Sequence, residues 1–123
     1  MTDFFGLFKN ASDAERRPAG SIVFEAGEPG TRMYVVRKGS VAIRIGNETV
    51  ETVGVGGVVG EMAMVDNAPR SATAVVVADA ELVPIDQLRF VFLVQQTPYF
   101  ALQVMQTMAA RLRNANERAG NAR

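Results

Sequence analysis

The stretch from Gly54 to Ala74 gathers residue types that can hold a small anion: Gly56, Gly57, Gly60, Glu61, Arg70 and Ser71. Glycines at 56, 57 and 60 let backbone approach a ligand closely. A turn of helix beginning near Glu61 aims the amide groups of Met62 and Ala63 at negative charge. Arg70 offers a planar fork for two phosphate oxygens, and Ser71 adds a hydroxyl. A carboxylate beside an anion needs a reason. Glu61 fits if it accepts from a sugar hydroxyl while balancing Arg70. The structural alternative is a Glu61–Arg70 salt bridge spanning the loop. Two glycine-loop readings fail: counted from Gly54, Val59 falls where G-x-G-x-x-G requires its last glycine, and no G-x-x-x-x-G-K-[ST] run exists.

Composition removes most other chemistry. The chain has no cysteine and no histidine. Disulfides, thiolate or imidazole metal sites and Ser/His or Cys/His nucleophiles are therefore absent. Acid–base catalysis would rest on carboxylates, Lys or Tyr. Thirteen basic residues balance thirteen acidic ones, so bulk charge does not point to nucleic acid or an anionic membrane. Arg111, Arg113, Arg118 and Arg123 read as a solvated helix face. No apolar run approaches ~18 residues, the length of a membrane span. Residues 1–10 lack the basic start and long apolar core of a secretory signal. A cytoplasmic protein with no metal and no cofactor is expected.

The elements that must position these residues follow from periodicity. The 123 residues suit one domain, residues 1–123, large enough to need no staples. Phe4, Phe5, Leu7 and Phe8 open a helical segment, 1–20, that packs on its own domain and is ended by Pro18 and Gly20. Over 21–85 the period is two, with β-branched or aromatic runs at 21–25, 33–37, 41–45, 49–53, 72–78 and 81–85. Gly46-Asn47 has the spacing of a tight hairpin, and Lys38-Gly39 reads as a turn. Over 86–118 the period becomes helical. Asp86 caps one helix and Pro98 stops it. Ala101, Val104, Met105, Met108 and Leu112 then mark a longer one, whose stripe serves the core and can also pair with a second copy. The expected fold is mainly β with α: a β-roll of six to eight strands, jelly-roll-like, with a short N-terminal helix, a short helix inside 56–74 and two C-terminal helices.

The pattern Gly60-Glu61-Met62-Ala63-Met64, a spacer, then Pro69-Arg70-Ser71-Ala72-Thr73-Ala74 resembles the phosphate-binding cassette of the cyclic-nucleotide-binding domain family. Ala26-Gly27-Glu28-Pro29-Gly30 and Met33-Tyr34-Val35-Val36-Arg37-Lys38-Gly39-Ser40-Val41 look like that family's earlier turn and strand. The resemblance covers residues 18–118 and includes the catabolite activators and the regulatory subunits of protein kinase A. It implies that Glu61 binds the ribose 2′-hydroxyl. It implies too that Arg70, with the amides of Gly60, Met62, Ala63 and Ser71, binds the cyclic phosphate of cyclic AMP or cyclic GMP.

Three departures matter. Val59 stands where the family usually has Phe, a packing change. Ala115 and Asn116 stand where the activators read the base with a Thr-Ser pair, which leaves Asn116 as the candidate base contact. The chain stops at Arg123, without the helix-turn-helix domain of the activators. The expectation is a stand-alone sensor, not an enzyme, that signals to an unknown effector protein by moving its C-terminal helices. A weak homodimer through the last helix is expected, and neither nucleic acid nor a membrane is. The alternatives are a nucleotide-free dimerisation or scaffold module, or the sensor fragment of a transcription factor or channel.

Overall fold

The computed structural model describes residues 5–121. Elements follow in the order α1 (Phe5–Phe8), β1 (Glu15–Arg17), β2 (Ile22–Phe24), β3 (Arg32–Ile45), β4 (Glu48–Val53), β5 (Val58–Val59), a 3-10 turn (Glu61–Met64), β6 (Thr73–Asp86), α2 (Gln87–Gln96) and α3 (Tyr99–Asn121). The six strands pair antiparallel in the order β1-β6-β3-β4, with β2 on β6 and β5 on β3. This is the β-roll that the sequence pattern implies.

The runs at 33–37 and 41–45 are one strand, β3, and those at 72–78 and 81–85 are one strand, β6. Lys38-Gly39 is therefore not a turn. It lies where the β3–β6 register slips three times between Val36 and Val41, bulges that bend both long strands without breaking them. Gly39 sits at φ +78°, and a Cβ there would stand 2.2 Å from the Asp79 carbonyl oxygen. Gly46-Asn47 is the expected hairpin, closing Ile45 on Glu48, with the positive φ at Gly46 that a type II′ turn places first.

Alternation along β3 builds two cores. Met33 and Val35 join Val58, Val83, Ile85, Phe100 and Val104 in a layer between sheet and helices. Tyr34 and Val36 join Val41, Val59, Ala74, Val76 and Leu82 inside the roll. Successive strand side chains point to opposite faces, so a strand buried on both sides reads as a continuous apolar run. Val59 is fully buried in the inner core, consistent with a packing role.

Helical coverage of 1–20 is smaller than the sequence suggests. Among the described residues of this segment only α1 is helical, whereas Glu15–Arg17 pairs with β6 through Arg16 opposite Glu81. A strand of three charged residues has no apolar alternation to reveal it. Phe8 is buried edge-on against Phe100, which itself meets Phe90 at 5.5 Å. Phe4 lies outside the described residues. Asp86 caps α2 by accepting from the Arg89 amide at 2.8 Å, as expected. The α3 stripe divides: Val104 and Met108 face inward, while Met105 and Leu112 are exposed.

Candidate functional site

A cavity of about 410 Å³ lies between the roll, the loop at 60–72 and the inner flank of α3. At one end Arg70 occupies a slot cut by two glycines. A Cβ on Gly30 would stand 2.8 Å from Arg70 Nε, and one on Gly60 2.6 Å from its Nη1. The guanidinium stacks 4.0 Å from the centre of the Phe24 ring. Two backbone bonds pin the residue itself: Arg70 N–H donates to Glu28 O and Gly27 N–H donates to Arg70 O, both at 2.8 Å.

Among the described residues Arg70 has no carboxylate partner. Its Nη2 donates to Arg32 O at 2.7 Å and its Nη1 to Gly60 O at 3.3 Å, while its Nε is buried with no acceptor among the described residues. Burial pushes the Arg70 guanidinium below its ordinary value, and the negative charges of Glu28 and Glu61 offset this only in part. A cation held this way is stabilised by an anion entering from the cavity.

Glu61 is bound elsewhere. Its carboxylate is buried at 4% exposure and accepts from Arg111 Nη1. Arg111 also donates to Glu51, through Nε to Oε1 at 2.9 Å and Nη2 to Oε2 at 3.2 Å, and to Val58 O at 2.7 Å. Burial opposes the Arg111 charge, but the hydrogen bonds and charges of Glu51 and Glu61 outweigh it and hold its pKa above the usual arginine value. Glu61 therefore acts on Arg70 only through space, as one of the charges that offset its burial. Neither a Glu61–Arg70 salt bridge nor a direct pair forms, and the partner comes from α3. Arg111 is likewise not a solvated helix-face residue. Its three-residue spacing from Met108 on the inward flank is the signal that could have placed it, and Glu51 carries no comparable signal.

Of the other sequence-predicted residues, Gly60, Met62, Ala63 and Ser71 line the cavity. Gly60 takes φ +77° at the head of the 3-10 turn. Ala63 N–H donates to Gly60 O at 3.2 Å and so closes that turn, leaving the Met62 amide at its head. Gly56 and Gly57 are not on the wall. They bond the backbone of Val36, and a Cβ on Gly57 would strike Val53 Cγ1 at 2.5 Å. Asn116 is exposed and off the wall, where Asn114, Ala115 and Arg118 stand instead. The cavity thus joins an anion-hungry arginine, a buried carboxylate and an apolar chamber closed by α3.

Residues 14–97 match the family model described as "Cyclic nucleotide-binding domain". The chain belongs to the cyclic nucleotide-binding domain family. It is 33% identical over 104 residues to the cyclic AMP receptor protein of Thermus thermophilus, covering 80% of this chain and 48% of that protein. It is 37% identical over 84 residues to the cAMP-dependent protein kinase regulatory subunit of Eremothecium gossypii, covering 68% of this chain and 18% of the other. The crystal structure of the Thermus thermophilus catabolite activator protein superposes with a TM-score of 0.75 at 29% identity, over 94% of this chain and 62% of that one. The chain spans about half the length of the first relative and less than a fifth of the second. Members of this family are regulatory binding domains rather than enzymes, and this chain is a regulatory module of that kind. Among the described residues no helix is long and apolar enough to cross a membrane.

Proposed function

We propose that the domain is a cytoplasmic sensor that takes a purine 3′,5′-cyclic nucleotide, cyclic AMP or cyclic GMP, into this cavity. The observation that carries the reading is the half-buried Arg70 guanidinium, which lines the cavity with a buried, unsatisfied Nε and no carboxylate partner among the described residues. A cyclic phosphate supplies what it lacks, with the amides of Gly60, Met62 and Ser71 as further donors. Ala63 contributes shape, since its own amide closes the turn. The ribose 2′-hydroxyl donates to Glu61, whose lone pairs are only partly used by Arg111.

Glu61 is also the route from ligand to partner. It is bonded to Arg111 of α3, so a hydroxyl that claims part of its carboxylate alters the strap holding α3 on the roll. The signal is then a change in the C-terminal helices, read by an effector or a second copy.

A homodimer has its own support. Leu102, Met105, Ala109, Leu112 and Asn116 are all exposed along α3, Leu112 also at the cavity wall, and their spacing alternates three and four residues. That is the seam spacing of a two-stranded coil, with a polar Asn at one position of the kind that fixes register. Asn116 thereby moves from base contact to seam.

Titration of the parent and Arg70→Ala with cyclic nucleotides and with the corresponding nucleosides tests the reading. The parent binds the former and not the latter, and Arg70→Ala loses the difference. Equal binding of nucleoside and cyclic nucleotide to the parent excludes phosphate capture by Arg70.

A further inference from the structure

The wall of the cavity beyond the phosphate slot carries polar side chains that the phosphate and ribose do not occupy: Asp66 after the 3-10 turn, and Asn114 and Arg118 on α3. Arg111, Asn114 and Arg118 lie at spacings of three and four along α3, on the flank that lines the cavity. Arg118 stands two turns past the Glu61–Arg111 pair, roughly 10 Å along the axis. Ile45 of β3 and Val50 of β4 line the same cavity, as do Leu112 and Ala115 of α3. A flat, largely apolar ring suits such walls, with its polar edge turned to the helix.

Arg118 is half-buried, and its side chain makes no ion pair or hydrogen bond with any described residue. It differs in this from Arg111, which is saturated by two carboxylates and a carbonyl. Arginine only donates. Guanine presents two adjacent acceptors, O6 and N7, which a guanidinium fork meets in the commonest specific base contact. Adenine places its N6 amine, a donor, where guanine has O6. Asn114 adapts to either base because its amide both donates and accepts.

Resting on the cyclic-nucleotide reading above, we infer that Arg118 is the base-reading residue of this domain and selects cyclic GMP over cyclic AMP. The base is then read by the same chain that binds the phosphate, in place of the contact expected at Asn116.

Calorimetric titrations with cyclic GMP, cyclic IMP and cyclic AMP test this on the parent and on Arg118→Ala. Cyclic IMP keeps O6 and N7 but lacks the 2-amino group, so it isolates the edge in question. The parent binds cyclic GMP and cyclic IMP about tenfold or more tighter than cyclic AMP, the lower range of one good bidentate base contact. In Arg118→Ala the preference collapses because the two oxo-purines weaken, while cyclic AMP binds as before. If the parent binds all three alike, prefers cyclic AMP, or keeps its preference without Arg118, the base assignment is wrong while the sensor reading stands. If none binds the parent, both fall.

Discussion

Arg111 of α3 and Glu61 of the 3-10 turn are joined across 50 positions of sequence by a hydrogen-bonded ion pair at the centre of the cavity wall. Glu51 completes the cluster, so one guanidinium ties the terminal helix to two parts of the roll. Removing the arginine leaves a buried carboxylate without its cation. Arg111→Met should therefore cost about 3 kcal/mol, the lower end of the range for a broken buried pair because Arg111 keeps some solvent contact. Thermal unfolding checks it, with a fall in melting temperature of roughly ten degrees or more expected. A variant as stable as the parent would show that the strap does not hold α3.

Arg70 should behave in the opposite way. Its side chain satisfies two carbonyls but is desolvated and carries no ion pair. Arg70→Ala is expected to change stability by no more than about 1 kcal/mol. Affinity for a cyclic nucleotide should nevertheless fall by ~2–4 kcal/mol. Denaturant unfolding and titration on the same preparation separate the two effects.

Glu61→Gln keeps the volume but weakens both the acceptor for a 2′-hydroxyl and the bond from Arg111. Cyclic AMP should lose more affinity than its 2′-deoxy analogue, which never engages the carboxylate. Parallel losses for the two ligands would limit Glu61 to the strap.

Two glycines offer a contrast between fold and site. Gly39→Ala drives a Cβ into rigid backbone at Asp79 O while also occupying a positive φ, and should cost well over 2 kcal/mol. Gly60→Ala meets first the Arg70 guanidinium, the end of a long side chain. It should cost about 1–2 kcal/mol for the left-handed backbone and displace Arg70 from the slot. Melting curves rank the two, and titration shows binding lost in well-folded Gly60→Ala.

The outer seam of α3 is tested by Met105→Glu and Leu112→Glu, not by Met108, which packs inward. Each buried Leu or Met adds only ~1.5–3 kcal/mol, so the dimer is weak and sensitive to one charge. Sedimentation should show association in the parent that either variant abolishes, with nucleotide affinity retained in Met105→Glu, whose side chain does not line the cavity. A parent that is monomeric at every concentration, with and without ligand, removes the seam.

The roll, the cassette turn and the two C-terminal helices are legible from the sequence because each has a local signature. Strands show period two, Asp86 and Pro98 bracket α2, and glycines mark 60 and 46. What escaped depends on distance. Lys38-Gly39 carries turn chemistry, yet the pairing of Lys38 with Glu81 and Ser40 with Ala78 keeps the strand continuous. Glu61 and Arg70 are near in sequence and so suggest each other. The partner that reaches Glu61 is on α3, and only the packing of Val104 and Met108 brings it there. The wall residues of α3 follow the same rule: Asn116 is exposed and Arg118 lines the cavity because two positions on a helix are more than half a turn apart.

Thermal unfolding of nucleotide-free protein with cyclic AMP and with cyclic GMP bears most directly on the sensor reading. A ligand at a hundred times its dissociation constant adds ~2.7 kcal/mol of stability. The parent should therefore melt roughly ten degrees higher, and Arg70→Ala should shift by only a small fraction of that. An unchanged melting temperature for the parent at millimolar concentrations of both nucleotides would contradict the account.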